Sequence, residues 1–163
     1  MDKNKLRYMT LTAFVAAICV IGSFVKVPGF ITTAALDSAP AMIGAAFLPP
    51  IFAGAAGAIG HIATGLTSGF PLGVFHGIIA LEMFIIITLF TVLHRKGQHL
   101  LKWSFMIVAN GIIAPLPFYF LISPEFYIGS IASLTVATII NVVVAIIVMP
   151  VLKTVMIRSG VQS

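Results

Sequence analysis

Residues 72–93 read LGVFHGIIALEMFIIITLFTVL, an apolar run in which Glu82 is the only charged residue. A run of this length matches the roughly 20 residues that an α-helix needs to cross the hydrocarbon core of a bilayer. The rest of the chain agrees with it, since 60% of the 163 residues are hydrophobic and only 8% are charged. A soluble domain carries about a quarter charged residues, so the sequence predicts an integral membrane protein.

Six apolar segments along the chain are candidate transmembrane helices. We predict an all-α bundle that forms a single transmembrane domain over residues 1–163, with helices at about 8–25, 34–48, 51–67, 72–93, 103–122 and 127–152. The second and third segments are short, and only Pro49-Pro50 separates them. A single re-entrant hairpin in place of these two spans is the alternative.

The basic residues predict the orientation in the membrane. With a cytoplasmic N-terminus, six spans leave only Lys26 outside and put the other Lys and Arg residues inside: Lys3, Lys5, Arg7, Arg95, Lys96, Lys102, Lys153 and Arg158. This asymmetry follows the positive-inside rule, so we expect both termini in the cytoplasm. It also accounts for the net charge of +5 without nucleic-acid binding. The run from Tyr8 to Val25 is longer than a usual signal-peptide core, and we expect it to be retained as the first helix.

Glu82 is the only acidic residue deep within a predicted span. A carboxyl group there needs a partner, a water-filled cavity or a proton. We interpret it as a substrate or ion contact, with a structural bond between helices as the alternative. His76 lies about 120° around the same helix, so the two side chains do not share a face. His61, in the third helix, fits an interhelical bond better than a ligand contact.

Other polar side chains in the spans leave two interpretations open. Asn110 fits a hydrogen bond between helices. Asn141 lies three residues after Thr138 on one helix face, and the pair fits either an interhelical bond or the floor of a binding cavity. Asp37, near the outer end of the second helix, is either a helix cap or part of a lid over an outward cavity.

Motifs of enzymes and nucleotide-binding domains do not occur in the sequence. The glycines of residues 53–60 do not form G-x-G-x-x-G, and the chain has no P-loop, no Cys/His metal cluster and no nucleophile elbow. Cys19 is the only cysteine, so it forms no intramolecular disulfide. We therefore expect no catalytic residues, no metal, no cofactor and no enzymatic activity in this chain.

Three segments carry a resemblance to a known family. They are Ala13-Phe14-Val15-Ala16-Ala17, the stretch Asp37-Ser38-Ala39-Pro40 with the later Leu48-Pro49-Pro50-Ile51-Phe52-Ala53-Gly54, and Phe70-Pro71-Leu72-Gly73. Together with the size and the six predicted helices, they resemble the substrate-binding S components of energy-coupling factor (ECF) vitamin transporters, over essentially the whole chain. Within that family the chain is most similar to the S component for α-ribazole, the nucleoside of the cobalamin lower ligand.

The resemblance implies an ATP-driven importer in a prokaryotic cell membrane, in which this chain binds a vitamin or a vitamin precursor. It implies a coupling transmembrane subunit that docks on Ala13 and Ala17, and two ATPase subunits that hydrolyse ATP. It also implies a pocket between the helix 1–2 loop and helices 4, 5 and 6, with Glu82 and Asn141 as ligand contacts. For a nucleoside-like ligand, we expect the remaining polar contacts and an aromatic wall from Thr138, His76, Asp37, Phe30, Phe75, Phe118 and Tyr119. Other vitamins would use the same side chains.

Two further functions fit the sequence. The first is a proton-coupled secondary carrier with Glu82 as its proton site, although the chain has no internal repeat of the kind that many carriers show. The second is a non-transporting assembly protein whose small-residue helix faces hold a complex together.

Overall fold

The computed structural model describes residues 2–158, and in them the chain folds into six helices. Their bounds are α1 Lys3–Ser23, α2 Ser38–Gly44, α3 Pro50–Thr67, α4 Phe75–Arg95, α5 His99–Leu121 and α6 Pro124–Arg158. The described residues form no β-strand; their only β-type pairing is an isolated bridge between Lys26 and Ala35. The all-α prediction is confirmed. The predicted cytoplasmic ends at residues 1 and 159–163 lie outside the described residues.

Four of the helices are long and apolar enough to cross a membrane by themselves: Lys3–Ser23, Phe75–Arg95, His99–Leu121 and Pro124–Met156. The chain is therefore a multi-pass membrane protein. Helix α3 has 18 residues, which is about 27 Å of helix, but it is not among these four.

The helix predicted at 34–48 is much shorter in the structure. Helix α2 has only 7 residues, about 10 Å, and cannot cross a bilayer alone. Residues 34–36, just before α2, pair with residues 25–27, just after α1. The Val27 N–H donates to Ala34 O at 2.9 Å, and the Leu36 N–H donates to Val25 O at 3.0 Å. After Gly44 the chain continues in turns, because Pro49 disfavours a helical Leu48.

Segment 24–49 nevertheless runs the length of the bundle. The Tyr8 and Phe52 rings lie 5.6 Å apart near the starts of α1 and α3, and the Ser23 and Thr67 hydroxyls lie 3.2 Å apart at their ends. Helices α1 and α3 are therefore parallel, and the chain between them must return from one end of the bundle to the other. A re-entrant hairpin of α2 and α3 would have put the start of α3 partway along α1 instead of beside the start of α1.

The remaining helices form antiparallel hairpins. Helix α3 packs on α4, α4 on α5 and α5 on α6, while α2 lies against α1, α3 and α6. Lys102 Nζ on α5 lies 2.7 Å from His94 Nδ1 on α4 and 3.9 Å from Met149 Sδ on α6. The start of α1, the start of α3, the α4–α5 loop and the end of α6 thus share one end of the bundle.

We call this end the basic end and the opposite one, formed by segments 24–37, 68–74 and 122–124, the loop end. The basic end carries all the described Lys and Arg residues except Lys26, which binds Ser68 Oγ through Nζ at 2.7 Å at the loop end. The two ends therefore differ in charge as the sequence predicted.

Glycines of α3 allow it to pack closely on both neighbours. A methyl group at Gly57 would lie 2.8 Å from Ile87 Cγ1 on α4, and one at Gly60 would lie 2.6 Å from Cys19 Cβ on α1. Small residues at these positions let helix backbones approach each other, as in other membrane bundles.

Helix α5 contains a π-helical turn at Ala109–Ile113, where the Ala114 N–H bonds to Ala109 O at 2.8 Å. Single π-turns inside α-helices occur frequently at functional sites. Here the turn carries Asn110, which borders the cavity described next.

Candidate functional site

A cavity lies between segment 31–38 and helices α3, α4, α5 and α6, in the half of the bundle nearer the loop end. It encloses about 690 Å³ of empty space, its open mouth included. Most of its wall is apolar, and its polar lining residues are Thr33, Asp37, Ser38, His61, Glu82, Asn110, Ser130, Thr138 and Asn141.

Glu82 reaches this cavity from the second turn of α4, seven residues and about 10 Å from the start of the helix. Its Oε2 atom is buried and has no hydrogen-bond partner among the described residues. Buried polar atoms normally have a partner, and one without a partner costs about 1–3 kcal/mol. Glu82 is therefore the side chain in this cavity most in need of a donor from a ligand.

Asp37 precedes α2 and also lines the cavity, but it is partly occupied. The Thr64 hydroxyl on α3 donates to its Oδ2 at 2.6 Å. Its side chain does not cap α2. Asp37 thus occupies the N-cap position of α2 without a side-chain capping bond, and its carboxyl group ties segment 24–37 to α3 at the edge of the cavity.

Asn141 uses its whole amide to hold segment 24–49 on α6. Its Oδ1 accepts from the Ala39 N–H at 2.8 Å, and its Nδ2 donates to Ala35 O at 2.8 Å and to Ala137 O at 2.9 Å. The side chain is fully buried, with 1% exposure. Asn141 borders the cavity, but its hydrogen bonds fix the position of segment 31–38, the cavity wall that faces α6.

Asn110 and Thr138 form a second link, between α5 and α6. Asn110 Nδ2 donates to Thr138 Oγ1 at 2.7 Å, and the hydroxyl in turn donates to Leu134 O at 2.7 Å. Both residues line the cavity. The Asn110 carbonyl oxygen has no protein partner among the described residues, so it remains available to a ligand donor.

The aromatic residues of the site are not the ones that the sequence favoured, apart from Phe118. Phe118 and Phe126 line the cavity, with ring centroids 6.1 Å apart in an edge-to-face arrangement. Phe75 packs on Phe118 from outside at 5.8 Å, and Phe30 packs on Phe126 at 5.7 Å. Tyr119 is 40% exposed and contacts its neighbours in the loop end instead.

Phe30 belongs to a contact that seats the cavity wall on α6. The Ile31 N–H donates to Ser133 Oγ at 3.2 Å, and Gly29 lies directly against the same hydroxyl. A methyl group at Gly129 would lie only 3.1 Å from Cδ1 of the Phe30 ring. Small residues at 29 and 129 thus allow segment 24–37 to lie flat on the helix.

The two histidines of this region act as a pair. His61 Nε2 and His76 Nδ1 lie 3.2 Å apart, so α3 and α4 are hydrogen-bonded through their imidazoles. His61 lines the cavity, whereas His76 is 1% exposed behind it and is not a lining residue. The interhelical bond predicted for His61 is confirmed.

The polar lining is rich in acceptors and has no cation. Glu82 and Asp37 contribute carboxyl groups, and no Lys or Arg lines the cavity in the part of the chain that the structure describes. Lys26, the one basic residue placed at the loop end, is bound to Ser68. An anionic group on a ligand would meet acceptor oxygens here, so the cavity suits a ligand without an anionic group and with hydroxyl or N–H donors.

Ala13 and Ala17 lie on another face of the molecule. Both are exposed on α1, whereas the neighbouring Val15 and Ala16 are buried against the bundle. The pair therefore forms a smooth strip on the outside of the bundle, separate from the cavity.

Comparison with known proteins gives no match with a family model, a curated protein or a solved structure.

Of the sequence-predicted site residues, Glu82, Asp37, Thr138 and Asn141 meet at the cavity, while His76, Phe30, Phe75 and Tyr119 lie outside its lining. Sequence reasoning missed His61 as a cavity residue. A signal was available, because His61 and His76 lie at nearly equal distances on either side of the turn at Ser68-Gly69, and an antiparallel hairpin brings such positions together.

Proposed function

We propose that this chain is the substrate-binding S component of an ECF-type importer and that the loop-end cavity binds a small vitamin or vitamin precursor. The observation that carries the proposal is Glu82: a carboxyl oxygen, without a partner among the described residues, buried at the wall of a mostly apolar cavity inside a membrane bundle. The chain contains no nucleotide-binding motif, so ATP hydrolysis falls to partner ATPase subunits.

The lining favours a neutral aromatic ligand with hydroxyl groups. Phe118 and Phe126 offer ring surfaces, and Glu82 and Asp37 offer oxygens that accept from hydroxyls. α-Ribazole, a nucleoside with a dimethylbenzimidazole ring and a ribose, has this combination and is the ligand we propose. Vitamins that carry a carboxylate or a phosphate would bring an anion to a cavity wall without a cation.

The membrane orientation in this proposal puts the loop end outside the cell and the basic end in the cytoplasm, because Lys and Arg accumulate on the cytoplasmic side. In this orientation the cavity lies in the outer half of the bundle, where it would collect an external ligand.

The binding test uses purified protein in detergent. We expect α-ribazole to bind with a measurable heat in calorimetry, and the 5′-phosphate of α-ribazole to bind at least about tenfold more weakly. Mass spectrometry of small molecules released from the freshly purified protein is the unbiased version of this test. If neither compound binds and no small molecule is released, the chain is not a binding subunit and the assembly-protein function is favoured.

The transport test separates an ECF component from a secondary carrier. We expect uptake into liposomes only when the coupling subunit, both ATPases and ATP are present. Uptake by the chain alone, driven by a pH gradient, would establish the carrier that uses Glu82 as its proton site.

The partner-docking test uses the exposed strip on α1. We expect Ala13→Trp or Ala17→Trp to abolish uptake but leave ligand affinity unchanged, because an indole prevents close approach of a partner helix. Ile18→Trp is the matched control, since Ile18 is also exposed on α1 but points about 100° away from Ala17. Equal uptake in all three variants would show that the partner docks elsewhere.

A further inference from the structure

The His61–His76 pair leaves two ring nitrogens unused, and they differ in their surroundings. His76 Nε2 is buried without a protein partner. His61 Nδ1 also has no protein partner, but it is not among the atoms that are sealed from solvent, and its ring borders the cavity. In a neutral pair, the protonation of His76 Nε2 determines the protonation of His61 Nδ1.

A neutral imidazole carries one N–H and one bare nitrogen, so only two neutral arrangements of this pair exist. If His61 donates, the proton of His76 lies on its buried Nε2. If His76 donates from Nδ1, its Nε2 is bare and the proton of His61 lies on Nδ1. A singly charged pair, like the first arrangement, leaves an N–H on His76 Nε2.

Among buried backbone groups, an N–H without an acceptor is rarer than a carbonyl without a donor, and we expect the same order for imidazole nitrogens. Phe70 also packs on His76, with ring centroids 5.4 Å apart, and its ring offers no lone pair. The arrangement that avoids an unsatisfied N–H is therefore the second, with His76 donating to His61 and with a proton on His61 Nδ1.

We propose that His61 Nδ1–H is a hydrogen-bond donor of the ligand site and that His76, from outside the cavity, is a positioning residue that fixes this tautomer. The part of the inference that concerns a ligand rests on the proposed function. It defines the ligand class further: a neutral molecule with an unprotonated ring nitrogen or a carbonyl oxygen for His61, and with hydroxyl donors for Glu82.

Three of the four other side-chain N–H groups of the lining donate to protein acceptors. Both N–H groups of Asn141 go to backbone oxygens, and one N–H of Asn110 Nδ2 goes to Thr138. Among the described lining residues, His61 Nδ1–H and the second N–H of Asn110 are thus the side-chain N–H groups that no protein acceptor uses. A ring nitrogen or a carbonyl oxygen of a ligand would accept from them.

The first test needs no ligand. In ¹⁵N-histidine-labelled protein without ligand, we expect NMR to show His61 protonated on Nδ1 and bare on Nε2, with assignment from His61→Phe. We expect His76→Phe to remove this preference and His76→Asn, which keeps an amide N–H near the position of Nδ1, to restore it. A wild-type His61 that is protonated on Nε2 would overturn the inference whatever the chain binds.

The second test compares two ligands on one protein. The probes are α-ribazole and its indole analogue, in which the bare ring nitrogen is replaced by C–H. We expect wild type to bind the analogue about tenfold more weakly, and His61→Phe to bind both with similar affinity. His76→Phe should reduce the preference for α-ribazole, and His76→Asn should recover it. His99→Phe, at an exposed position of the basic end, is the matched control.

Two results would overturn the ligand role of His61: equal affinity of wild type for both probes, or a loss in His61→Phe that is equally large for both. If wild type binds neither probe, the proposed α-ribazole function fails, and with it this ligand role. The NMR result still decides the tautomer in that case, so the two failures are distinguishable.

Discussion

At the scale of single residues, Glu82 and Glu125 are two acids that differ in burial and therefore in their expected effect on ligand binding. Glu82 has a buried oxygen without a partner, while Glu125 is exposed in the first turn of α6. We expect Glu82→Gln to weaken α-ribazole binding about tenfold to a hundredfold, because the loss of a charge-assisted hydrogen bond costs about 1.5–3 kcal/mol. Calorimetry on equally folded proteins measures this, with Glu125→Gln as the unaffected control. Wild-type affinity in Glu82→Gln would remove the carboxyl group from the site.

Asn141 makes a different residue-scale prediction, because its bonds go to backbone rather than to free space. Asn141→Leu would leave the Ala39 N–H and Ala35 O without their partner, at roughly 1–3 kcal/mol for each buried group. We expect a lower melting temperature in detergent and faster hydrogen exchange in residues 31–39. Thr154→Val removes a bond to Pro150 O on an exposed face of α6 and should change neither. Unchanged exchange in Asn141→Leu would mean that the segment is held by other contacts.

At the scale of elements, the close packing of α3 on α4 can be tested with a pair of glycines. A methyl group at Gly54 would lie 2.7 Å from Phe84 O and would also collide with Thr88. A methyl group at Gly77, within α4, would have no described atom of another part of the chain within 4 Å. We expect Gly54→Ala to destabilise the protein by about 1–3 kcal/mol through overpacking, and Gly77→Ala to be neutral or to stabilise by up to about 1 kcal/mol. Thermal unfolding in detergent measures both, and equal melting temperatures would contradict the close contact between α3 and α4.

The elements also differ in how well their sequence predicts them. Helices α1, α3 and α4 follow from continuous apolar runs. The ends of α3 and α4 agree with prediction within three residues, whereas α1 begins five residues before its predicted start. Helix α2 does not, because residues 34–37 pair with the preceding loop, and no local pattern encodes that pairing. The extension of α6 to Arg158 was missed because its last turns carry the basic residues that the prediction placed outside the membrane.

The residues of the candidate site also differ in how well the sequence predicts them. Polar residues in apolar spans were found at Glu82, Asn141 and Thr138, because a buried polar group is conspicuous against an apolar background. Aromatic residues are common in every span, so sequence alone could not separate Phe126 in the lining from Phe75 behind it. The roles of the polar residues also depend on partners distant in sequence, as when Asn141 bonds to Ala35 and Ala39.

At the scale of the whole molecule, the parallel arrangement of α1 and α3 decides where the charges fall. Because segment 24–49 returns the chain to the basic end, the described starts and ends of the protein lie together with the α4–α5 loop. If residues 24–67 crossed the membrane once instead of twice, the later helices would be inverted, and the α4–α5 loop would lie at the end opposite to Lys3, Lys5 and Arg7. The charge asymmetry of the sequence and the packing of the helices thus lead to the same topology by independent routes.

This topology can be tested with one cysteine at each end. Cys19 is fully buried and can be replaced by Ala to give a cysteine-free background. Val74 is 89% exposed at the loop end, and Gln98 is exposed in the α4–α5 loop at the basic end. Since positive residues stay in the cytoplasm, we expect an impermeant maleimide to label Val74→Cys in intact cells. Gln98→Cys should react only after the membrane is permeabilised, and so should a cysteine at position 163, which lies outside the described residues. Labelling of Gln98→Cys in intact cells would invert the bundle, place the cavity on the cytoplasmic side and exclude an importer that captures its ligand outside.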